Sequence, residues 1–286
     1  MDSDRTGPRP DHITGKSIVV TGAGGGFGRL VCELTAARGA RVVAVDIDGP
    51  AVRQLADELV AAGQQAIAVE CDVTDAAAMR AMARSALDAF GTIDVLVNNA
   101  GIMPLAFWSD HERALEAWDR CIDINMKGVL HGIVAVHDAM IEQGRGHIVN
   151  ISSIYGNAPV VGSAVYTATK AAVNIFSESL RAESQGRIKV TTVKPTGVVG
   201  TNLGASIVNG EAMIGLLGQN AETFRASAAA VFAAEPDAAL TDPDDIRYWT
   251  ISPQELAEQI VYVIDQPWGV SISDITVRAS GDQYLF

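Results

Sequence analysis

A tyrosine and a lysine in the second half of the chain have a spacing suited to acid/base chemistry. The pattern Tyr166-Thr-Ala-Thr-Lys170 places a phenol and an ammonium on one face of a helix. A phenol with an ordinary pKa of about 10 is a poor base at neutral pH, but a neighbouring lysine charge favours the phenolate. With a lowered pKa, Tyr166 can accept a proton from an alcohol or donate one to a ketone. The same spacing also occurs by chance on solvated helices.

Two serines end an apolar run just before this helix, at Ser152 and Ser153. A hydroxyl at such a strand end can hydrogen-bond a carbonyl oxygen and polarise it. We assign that role to Ser153 and expect Ser152 to point into the sheet. A serine nucleophile is not indicated, because Ser153 lacks the Gly-x-Ser-x-Gly surroundings of a hydrolase elbow.

The first buried run ends in the glycine-rich segment Thr21-Gly-Ala-Gly-Gly-Gly-Phe-Gly28, within which a helix begins. Glycines at such a turn let the backbone approach a pyrophosphate, which then lies at the positive N-terminal end of the helix. A tight turn that binds nothing would contain the same residues. The candidate dinucleotide contacts in this segment are Gly22, Gly26, Phe27 and Gly28.

An acidic residue, Asp46, ends the second apolar run, 18 residues beyond Gly28. A carboxylate at that point can accept hydrogen bonds from the adenosine ribose and would repel a 2′-phosphate. The sequence therefore favours NAD over NADP. As alternatives, Asp46 only caps the turn toward Pro50, or Asp48 takes the role at the ribose.

Polar or small residues also follow the third and fourth runs. Asp72-Val73 comes after the third, and Asn98-Asn-Ala-Gly101 after the fourth. Since the carboxyl ends of parallel strands meet at one edge, we expect both segments to border the adenine and its ribose. Either asparagine could equally form a local turn. The candidate cofactor contacts here are Asp72, Val73, Asn99, Ala100 and Gly101.

Short apolar runs alternate with helical stretches along the whole chain. The runs are Ser17–Val20, Val42–Val45, Ala66–Val69, Ile93–Val97, His147–Ile151, Ile188–Val193 and Asp274–Val277. The clearest helical stretches are Gly26–Arg38, Pro50–Ala62, Asp75–Phe90 and Glu112–Met140. This alternation predicts an α/β protein with a doubly wound, seven-stranded parallel sheet and helices on both faces.

The composition describes a soluble globular protein, with 286 residues, 48% hydrophobic, and a net charge of −13. Clustered lysine and arginine are missing, which argues against nucleic acid or an anionic membrane as partner. No apolar stretch reaches the roughly 18 to 20 residues needed to span a bilayer. Cys32, Cys71 and Cys121 are far apart, so no metal site is indicated and a reducing cytoplasm is expected.

Two segments fall outside the regular alternation. Residues 1–15 are polar and contain proline, and we expect a flexible N-terminal tail there, followed by one catalytic domain over residues 16–286. Residues 201–252 contain no strand-like run. Because they follow the sixth strand, they leave from the edge where open α/β folds bind ligands, and we expect a substrate lid. The alternative is a plain surface insertion.

Taken together, these motifs resemble the short-chain dehydrogenase/reductase family over roughly residues 16–277. The motifs that carry the resemblance are Thr21-Gly22-x-x-x-Gly26-x-Gly28, Asn98-Asn99-Ala100-Gly101, Ser153 and Tyr166-x-x-x-Lys170. Their order and spacing are far more specific than a glycine-rich turn alone. The resemblance implies a Rossmann-type fold and a nicotinamide dinucleotide cofactor.

The resemblance also implies individual roles. Tyr166 would be the general acid/base, Lys170 would lower its pKa and hold the nicotinamide ribose, and Ser153 would orient the substrate oxygen. Asn125 matches the family's helix asparagine, which anchors a water that links the lysine to solvent. Pro195-Thr-Gly-Val198 matches the segment behind the nicotinamide, although the family more often has glycine directly after the proline. The cofactor contacts expected there are Thr196, Val198 and Thr201.

The family further implies a homotetramer or homodimer built on long helices near Glu112–Met140 and Ser163–Glu183. The C-terminus departs from the family's commonest pattern, because it lacks an Asp-Gly-Gly segment and ends in Tyr284-Leu-Phe286. An apolar chain end could close a neighbouring subunit's pocket or pack on its own domain.

These expectations combine into an NAD-dependent oxidoreductase that interconverts a hydrophobic secondary alcohol and its ketone. An epimerase or dehydratase on the same scaffold is one alternative, and a non-catalytic dinucleotide-binding sensor is another. The sensor is disfavoured because Ser153, Tyr166 and Lys170 are all present. The expected substrate contacts are Ser153, Tyr155, Tyr166 and Met103, with Pro159, Val160, Met213, Leu216, Leu217 and Phe224 as further lining residues.

Overall fold

A computed structural model describes residues 10–285 and contains one sheet of seven parallel strands. The strands are β1 (Ser17–Thr21), β2 (Arg41–Asp46), β3 (Gln65–Glu70), β4 (Val95–Asn98), β5 (Gly146–Ile151), β6 (Ile188–Pro195) and β7 (Asp274–Val277). Their order in the sheet is β3-β2-β1-β4-β5-β6-β7. Each predicted strand is present, and β6 continues past the predicted end to Pro195. The predicted sheet is therefore confirmed.

Helices cover both faces of the sheet. They are α1 (Gly26–Ala37), α2 (Gly49–Ala61), α3 (Ala76–Phe90), α4 (His111–Cys121), α5 (Gly128–Glu142), α6 (Ala164–Glu183), α7 (Ile214–Leu217), α8 (Ala221–Val231), α9 (Ala238–Thr241) and α10 (Pro253–Ile264). One apolar core contains side chains of α1, α2 and α10, and a second contains side chains of α3, α5 and α6. Ile18 and Val20 of β1 belong to the first core and Val19 to the second, because successive side chains of a strand point to opposite faces.

The chain changes direction within the sheet at β1. Strands β2 and β3 lie on one side of β1, and β4 to β7 lie on the other. The connections that leave β1 and β4 at their carboxyl ends therefore diverge and open a crevice between them. This topology brings the predicted site segments together.

The predicted helix over Glu112–Met140 is not one regular α-helix. A π-helical segment, Ile122–Lys127, joins α4 to α5. A π turn inserts one extra residue and so rotates the side chains that follow it. Asn125 lies in this segment and is completely buried. The apolar spacing continues on both sides of the insertion, which is why periodicity alone did not reveal it.

The flexible tail predicted for residues 1–15 does not hold for its described end, and residues 1–9 lie outside the described part of the chain. Ile13 is completely buried in the core that contains α1 and α10. The backbone N–H of His12 donates to Asp265 at 2.8 Å, and Asp11 forms an ion pair with Arg38. One large apolar side chain in a polar segment is sufficient to anchor this stretch.

The strand-free segment predicted at residues 201–252 is ordered into α7, α8, α9 and several 3-10 turns. Leu216 and Leu217 of α7 are buried in a third apolar cluster, together with Tyr155 and Tyr166. Leu285 packs on its own domain, since its N–H donates to the Leu216 carbonyl at 3.0 Å, and Phe286 lies outside the described residues. Across residues 10–285, every helix is too short or too polar to cross a membrane.

Candidate active site

A cavity of about 670 Å³ opens at the carboxyl edge of the sheet, where the loops after β1 and β4 diverge. The ends of β2 and β3 border one side of it, and the segments after β5 and β6 border the other. Every residue predicted to contact a cofactor lines this cavity, namely Gly22, Gly26, Phe27, Gly28, Asp46, Asp72, Val73, Asn99, Ala100, Gly101, Tyr166, Lys170, Thr196, Val198 and Thr201. The sheet thus gathers segments that are far apart in sequence.

The glycine-rich turn leaves the N-terminus of α1 facing this cavity. Gly28 packs so closely on the Gly22 carbonyl and the Asn99 amide that a Cβ atom would overlap both. The N-cap residue is Gly25, and no side chain of the described residues caps the helix there. Backbone N–H groups at such a helix end can bind a phosphate. The turn therefore has the shape and polarity that a pyrophosphate needs.

Asn99 holds the turn against β4. Its Nδ2 atom donates to the Thr21 carbonyl at 2.8 Å and to the Gly22 carbonyl at 3.1 Å. Its Oδ1 atom is buried and has no hydrogen-bond partner among the described residues. Asn98 donates to Asn150 Oδ1 at 2.8 Å across the sheet. Neither side chain forms the local turn that the sequence left open, because both bridge neighbouring strands.

The carboxylate of Asp46 is shared between the turn and the cavity. Its Oδ2 atom accepts from Gly24 N–H at 2.9 Å, and its Oδ1 atom accepts from Asp48 N–H at 3.0 Å. Asp48 caps α2 by accepting from Ala51 N–H at 3.1 Å. Asp46 therefore holds the turn toward Pro50 and also lines the cavity, whereas Asp48 is occupied at the helix end.

The three residues predicted to act on a substrate meet at the opposite side of the cavity. The ammonium of Lys170 donates to the Ile151 carbonyl at 2.8 Å and lies 5.7 Å from the centre of the Tyr166 ring. Ser153, the last residue before a 3-10 turn, accepts from Tyr155 N–H at 3.2 Å. All three side chains are buried and line the cavity. Ser152 donates to the Lys170 carbonyl at 3.1 Å.

Burial governs the electrostatics of this group. Burial raises the pKa of the Tyr166 phenol to about 12, and a hydrogen bond with Ser153 acts in the opposite direction. Burial also lowers the pKa of the Lys170 ammonium to about 8. The direction for Tyr166 is opposite to the expected lowering, because loss of water disfavours the charged phenolate. At neutral pH the protein alone holds a neutral phenol beside an ammonium.

Asn125 acts on the backbone that borders the lysine. Its Oδ1 atom accepts from Ile102 N–H at 2.9 Å, and its Nδ2 atom donates to the Ile102 carbonyl at 2.8 Å. A Cβ atom on Gly101 would lie 3.3 Å from Asn125 Oδ1 and 3.7 Å from the Lys170 ammonium. The π-helical segment thus places Asn125 next to both the cavity loop and the lysine.

The segment after β6 borders the cavity together with Tyr166 and Lys170. Thr196 extends the pairing of β6 with β7 through its N–H, which donates to the Val277 carbonyl at 3.0 Å. Val198 forms an isolated bridge with Ile251, near the end of the segment 201–252. Thr201 approaches the glycine-rich turn, because its methyl group lies 4.0 Å from the position of a Cβ atom on Gly26.

Two expected substrate contacts are placed elsewhere. Tyr155 and Met103 do not line the cavity and belong instead to the apolar cluster under the lid. The Tyr155 hydroxyl donates to the Leu216 carbonyl at 3.1 Å, and Met103 N–H donates to Ser206 at 2.8 Å. They were expected to form part of a mostly apolar substrate lining, whereas both contact residues of the segment 201–252.

The sequence analysis missed one wall of the cavity. Helix α4 and the π-helical segment contribute Glu116, Asp119, Arg120 and Asp123. The three acids recur at intervals of three and four residues, which is the spacing of one helix face. That spacing was the available signal. Ile47, the residue after Asp46, also lines the cavity.

Comparison with known proteins identifies the family. The model for short chain dehydrogenases matches residues 16–212. An uncharacterised oxidoreductase of Staphylococcus aureus (strain MW2) is 31% identical over 268 residues, which cover 93% of this chain and 98% of that protein. The chain therefore belongs to the short-chain dehydrogenase family, and the resemblance seen in the sequence is confirmed.

Two solved structures extend this likeness. A metagenomic short-chain oxidoreductase in complex with NADP is 29% identical, with a TM-score of 0.69. The match covers 92% of this chain and 97% of that chain. A short-chain dehydrogenase/reductase from Burkholderia phymatum in complex with NAD is 27% identical, with a TM-score of 0.72. The match covers 92% of this chain and 89% of that chain. Both dinucleotides thus occur among similar structures.

The packing of the glycine-rich turn generates a test. We expect Gly28→Ala to weaken NADH binding about tenfold or more, since a side chain forced into filled space costs about 1–3 kcal/mol. The matched control is Gly269→Ala, which lies away from the cavity and where a Cβ atom also meets nothing within 4 Å. Fluorescence titration with NADH measures both variants. Equal weakening in the two would show that the close contact at Gly28 is unimportant.

Proposed function

We propose that this protein is an NAD-dependent oxidoreductase that interconverts a hydrophobic secondary alcohol and its ketone. The observation that carries the proposal is the meeting of Ser153, Tyr166 and Lys170 at one end of a cavity that also contains the glycine-rich turn. The turn and its helix end are suited to a pyrophosphate, so the other end of a dinucleotide would lie beside Tyr166. A nicotinamide ring held there supplies the hydride transfer.

The side chains around Tyr166 handle the proton and orient the substrate. In ketone reduction, Tyr166 donates its phenolic proton to the carbonyl oxygen, and in alcohol oxidation the phenolate accepts the hydroxyl proton. The Ser153 hydroxyl donates a hydrogen bond to the same oxygen and fixes its position. A positive charge on the Lys170 ammonium favours the phenolate, but in the protein alone burial outweighs it and the phenol stays neutral. Asn125 holds the loop beside this ammonium.

The preference for NAD rests on Asp46. Its carboxylate lines the cavity at the end of β2 and already orders the glycine-rich turn through Gly24. In that position it can accept hydrogen bonds from ribose hydroxyls and would repel a 2′-phosphate.

The apolar cluster beside the catalytic residues supports a hydrophobic substrate. Tyr166 packs in one cluster with side chains of the lid segment, including Leu216 and Leu217. Its other buried members are Leu105, Cys121, Ile154, Tyr155, Val160, Ala212 and Ala221. These side chains lie behind Tyr166, whereas the members of residues 201–252 that line the cavity are Thr201, Asn202 and Leu203. A charged group placed among the apolar side chains would lose its hydration without gaining a partner. We infer that the lid segment, residues 201–252, covers an alicyclic, aromatic or similarly apolar substrate.

The role of Tyr166 is tested by removing its hydroxyl. We expect Tyr166→Phe to bind NADH normally and to lower kcat by about 10²- to 10⁴-fold, the usual contribution of a general acid/base. Tyr248→Phe is the control, because it removes a hydroxyl hydrogen bond to Glu255 away from the cavity. NADH absorbance, measured over a panel of secondary alcohols and ketones, gives the rates. Near-normal turnover in Tyr166→Phe would refute the role.

The cofactor preference is tested at the end of β2. We expect Asp46→Ser to weaken NAD and admit NADP, changing the ratio of their kcat/KM values by about tenfold or more, since like charges in contact cost several kcal/mol. Asp48→Ser is the control, because serine also caps helices and only the charge two residues away is lost. An unchanged ratio in Asp46→Ser would mean that another group reads the ribose.

We also infer a cytoplasmic homotetramer or homodimer. The three cysteines are buried free thiols, in keeping with a reducing compartment. On the long helices, Val134 of α5 and Ile175 of α6 are 54% and 67% exposed, as expected for side chains that a second copy would cover.

Light scattering tests this assembly. We expect Val134→Asp and Ile175→Asp to lower the molecular mass in solution, because each would bury an unpaired charge in the interface. The control is Ile246→Asp, whose side chain is 80% exposed in the lid segment. A monomeric wild-type protein would overturn the inference.

A further inference from the structure

The C-terminal residues of the chain lie between the catalytic loop and the lid. Asp282 and Tyr284 contact the loop after β6, and Gln283 and Leu285 contact the lid segment. The Tyr284 ring also packs against Phe224 of α8, with ring centroids 5.5 Å apart. The segment Asp282–Leu285 therefore touches both sides of the substrate region at once, and we call it the C-terminal strap.

The strap is fixed to the lid by its odd-numbered residues. Gln283 accepts from Asn220 Nδ2 through its carbonyl at 2.9 Å and donates to the Ser227 hydroxyl at 3.1 Å. Leu285 N–H donates to the Leu216 carbonyl at 3.0 Å. These contacts reach both ends of the α7–α8 region, so the strap has a defined position under the lid.

The other two residues of the strap act on the cavity loop. Thr196, which lines the cavity, donates from its hydroxyl to Asp282 Oδ2 at 2.8 Å. The Tyr284 ring occupies the space where a side chain on Gly197 would lie. Asp282 is itself fixed, because its side chain is only 2% exposed and pairs with Arg278. The loop is thus held from behind, on the side away from the cavity.

Two departures from the family pattern meet in this contact. The chain has Thr196 where the family more often has glycine, and it ends in the strap where many members have an Asp-Gly-Gly segment. The residues are 86 positions apart in sequence, yet they share a partly buried hydrogen bond. The glycine of this loop is instead the next residue, Gly197, where the Tyr284 ring leaves no room for a side chain.

We propose that Asp282 is a positioning residue that acts through Thr196 to order the loop that backs the nicotinamide end of the cofactor. The proposal rests on the proposed function in one respect, namely that the cavity binds a nicotinamide dinucleotide. Loss of the contact frees the Thr196 side chain and loosens the loop beside Tyr166. The turn that would hold the pyrophosphate, after β1, is unaffected. The two ends of the ligand therefore respond differently.

Binding of a whole cofactor and of its fragment separates these ends. NADH is titrated alongside ADP-ribose, a fragment that lacks the nicotinamide. If NADPH binds more tightly than NADH, it is titrated alongside the 2′-phosphate of ADP-ribose instead. We expect Thr196→Val and Asp282→Ala each to weaken the whole cofactor about three- to tenfold, the contribution of one hydrogen bond. Binding of the fragment stays within about twofold, as for variants that leave its contacts intact.

Three further variants make the test specific. Thr196→Ser keeps the hydroxyl and should bind like wild type. The double variant Thr196→Val/Asp282→Ala should bind no more weakly than either single variant, because both remove the same interaction. Ser280→Ala is the control, since it removes a hydrogen bond to the Ile246 carbonyl in the same C-terminal stretch without reaching the cavity loop.

The outcomes distinguish this inference from the proposed function. Unchanged binding of the whole cofactor in Thr196→Val overturns the positioning role, and that variant alters too little packing to prevent folding. Equal weakening of cofactor and fragment overturns it as well, because the contact would then act on the fold generally. Additive effects in the double variant exclude action through Thr196. If wild-type protein binds neither ligand, the proposed function and this inference both fail.

Discussion

The candidate active site depends on the hydrogen bond between the Lys170 ammonium and the Ile151 carbonyl, 2.8 Å apart at the carboxyl end of β5. The Lys170 carbonyl in turn accepts from Ser152, the residue after that strand, at 3.1 Å. Together these bonds fix both the height and the rotation of α6 on the sheet. Tyr166 lies one helical turn before Lys170, so its position against Ser153 follows from the same two contacts.

This arrangement buries the side chains of Tyr166 and Lys170 close together, and burial disfavours the charged form of each. The pKa of the Tyr166 phenol rises and that of the Lys170 ammonium falls, because loss of water opposes either charge. A phenolate therefore forms readily only when positive charge lies close to it. Lys170 supplies one such charge, and a positively charged ligand ring in the cavity would supply a second. In the proposed reaction, proton transfer would therefore depend on occupancy of the neighbouring site as well as on pH.

The sequence predicted the fold and the cavity-lining motifs well, because each of them has a signal in neighbouring residues. Short buried runs mark strands such as β1 and β5, and the connections at their carboxyl ends carry the polar motifs, so strand order alone gathers Gly28, Asn99 and Ser153. The side chains that support these motifs were harder to predict. Asn125 is buried by a π turn that leaves the apolar pattern intact, and Ile13 is a single anchor within a polar stretch. The bond between Thr196 and Asp282 joins distant positions without any local signal.

In the proposed function, the packing of residues 201–252 influences which substrates fit beside Tyr166. The Leu216 carbonyl accepts from both the Tyr155 hydroxyl and Leu285 N–H, while the rest of α7 meets the site through apolar contacts. When an apolar substrate enters there, the lid segment loses apolar contacts with the protein and gains apolar contacts with the substrate. A charged substrate would have to lose its hydration among side chains that offer no counter-charge. The proposed preference for an apolar substrate would follow from this packing, whereas the charged side chains Glu116, Asp119, Arg120 and Asp123 lie on the wall formed by α4 and the π-helical segment.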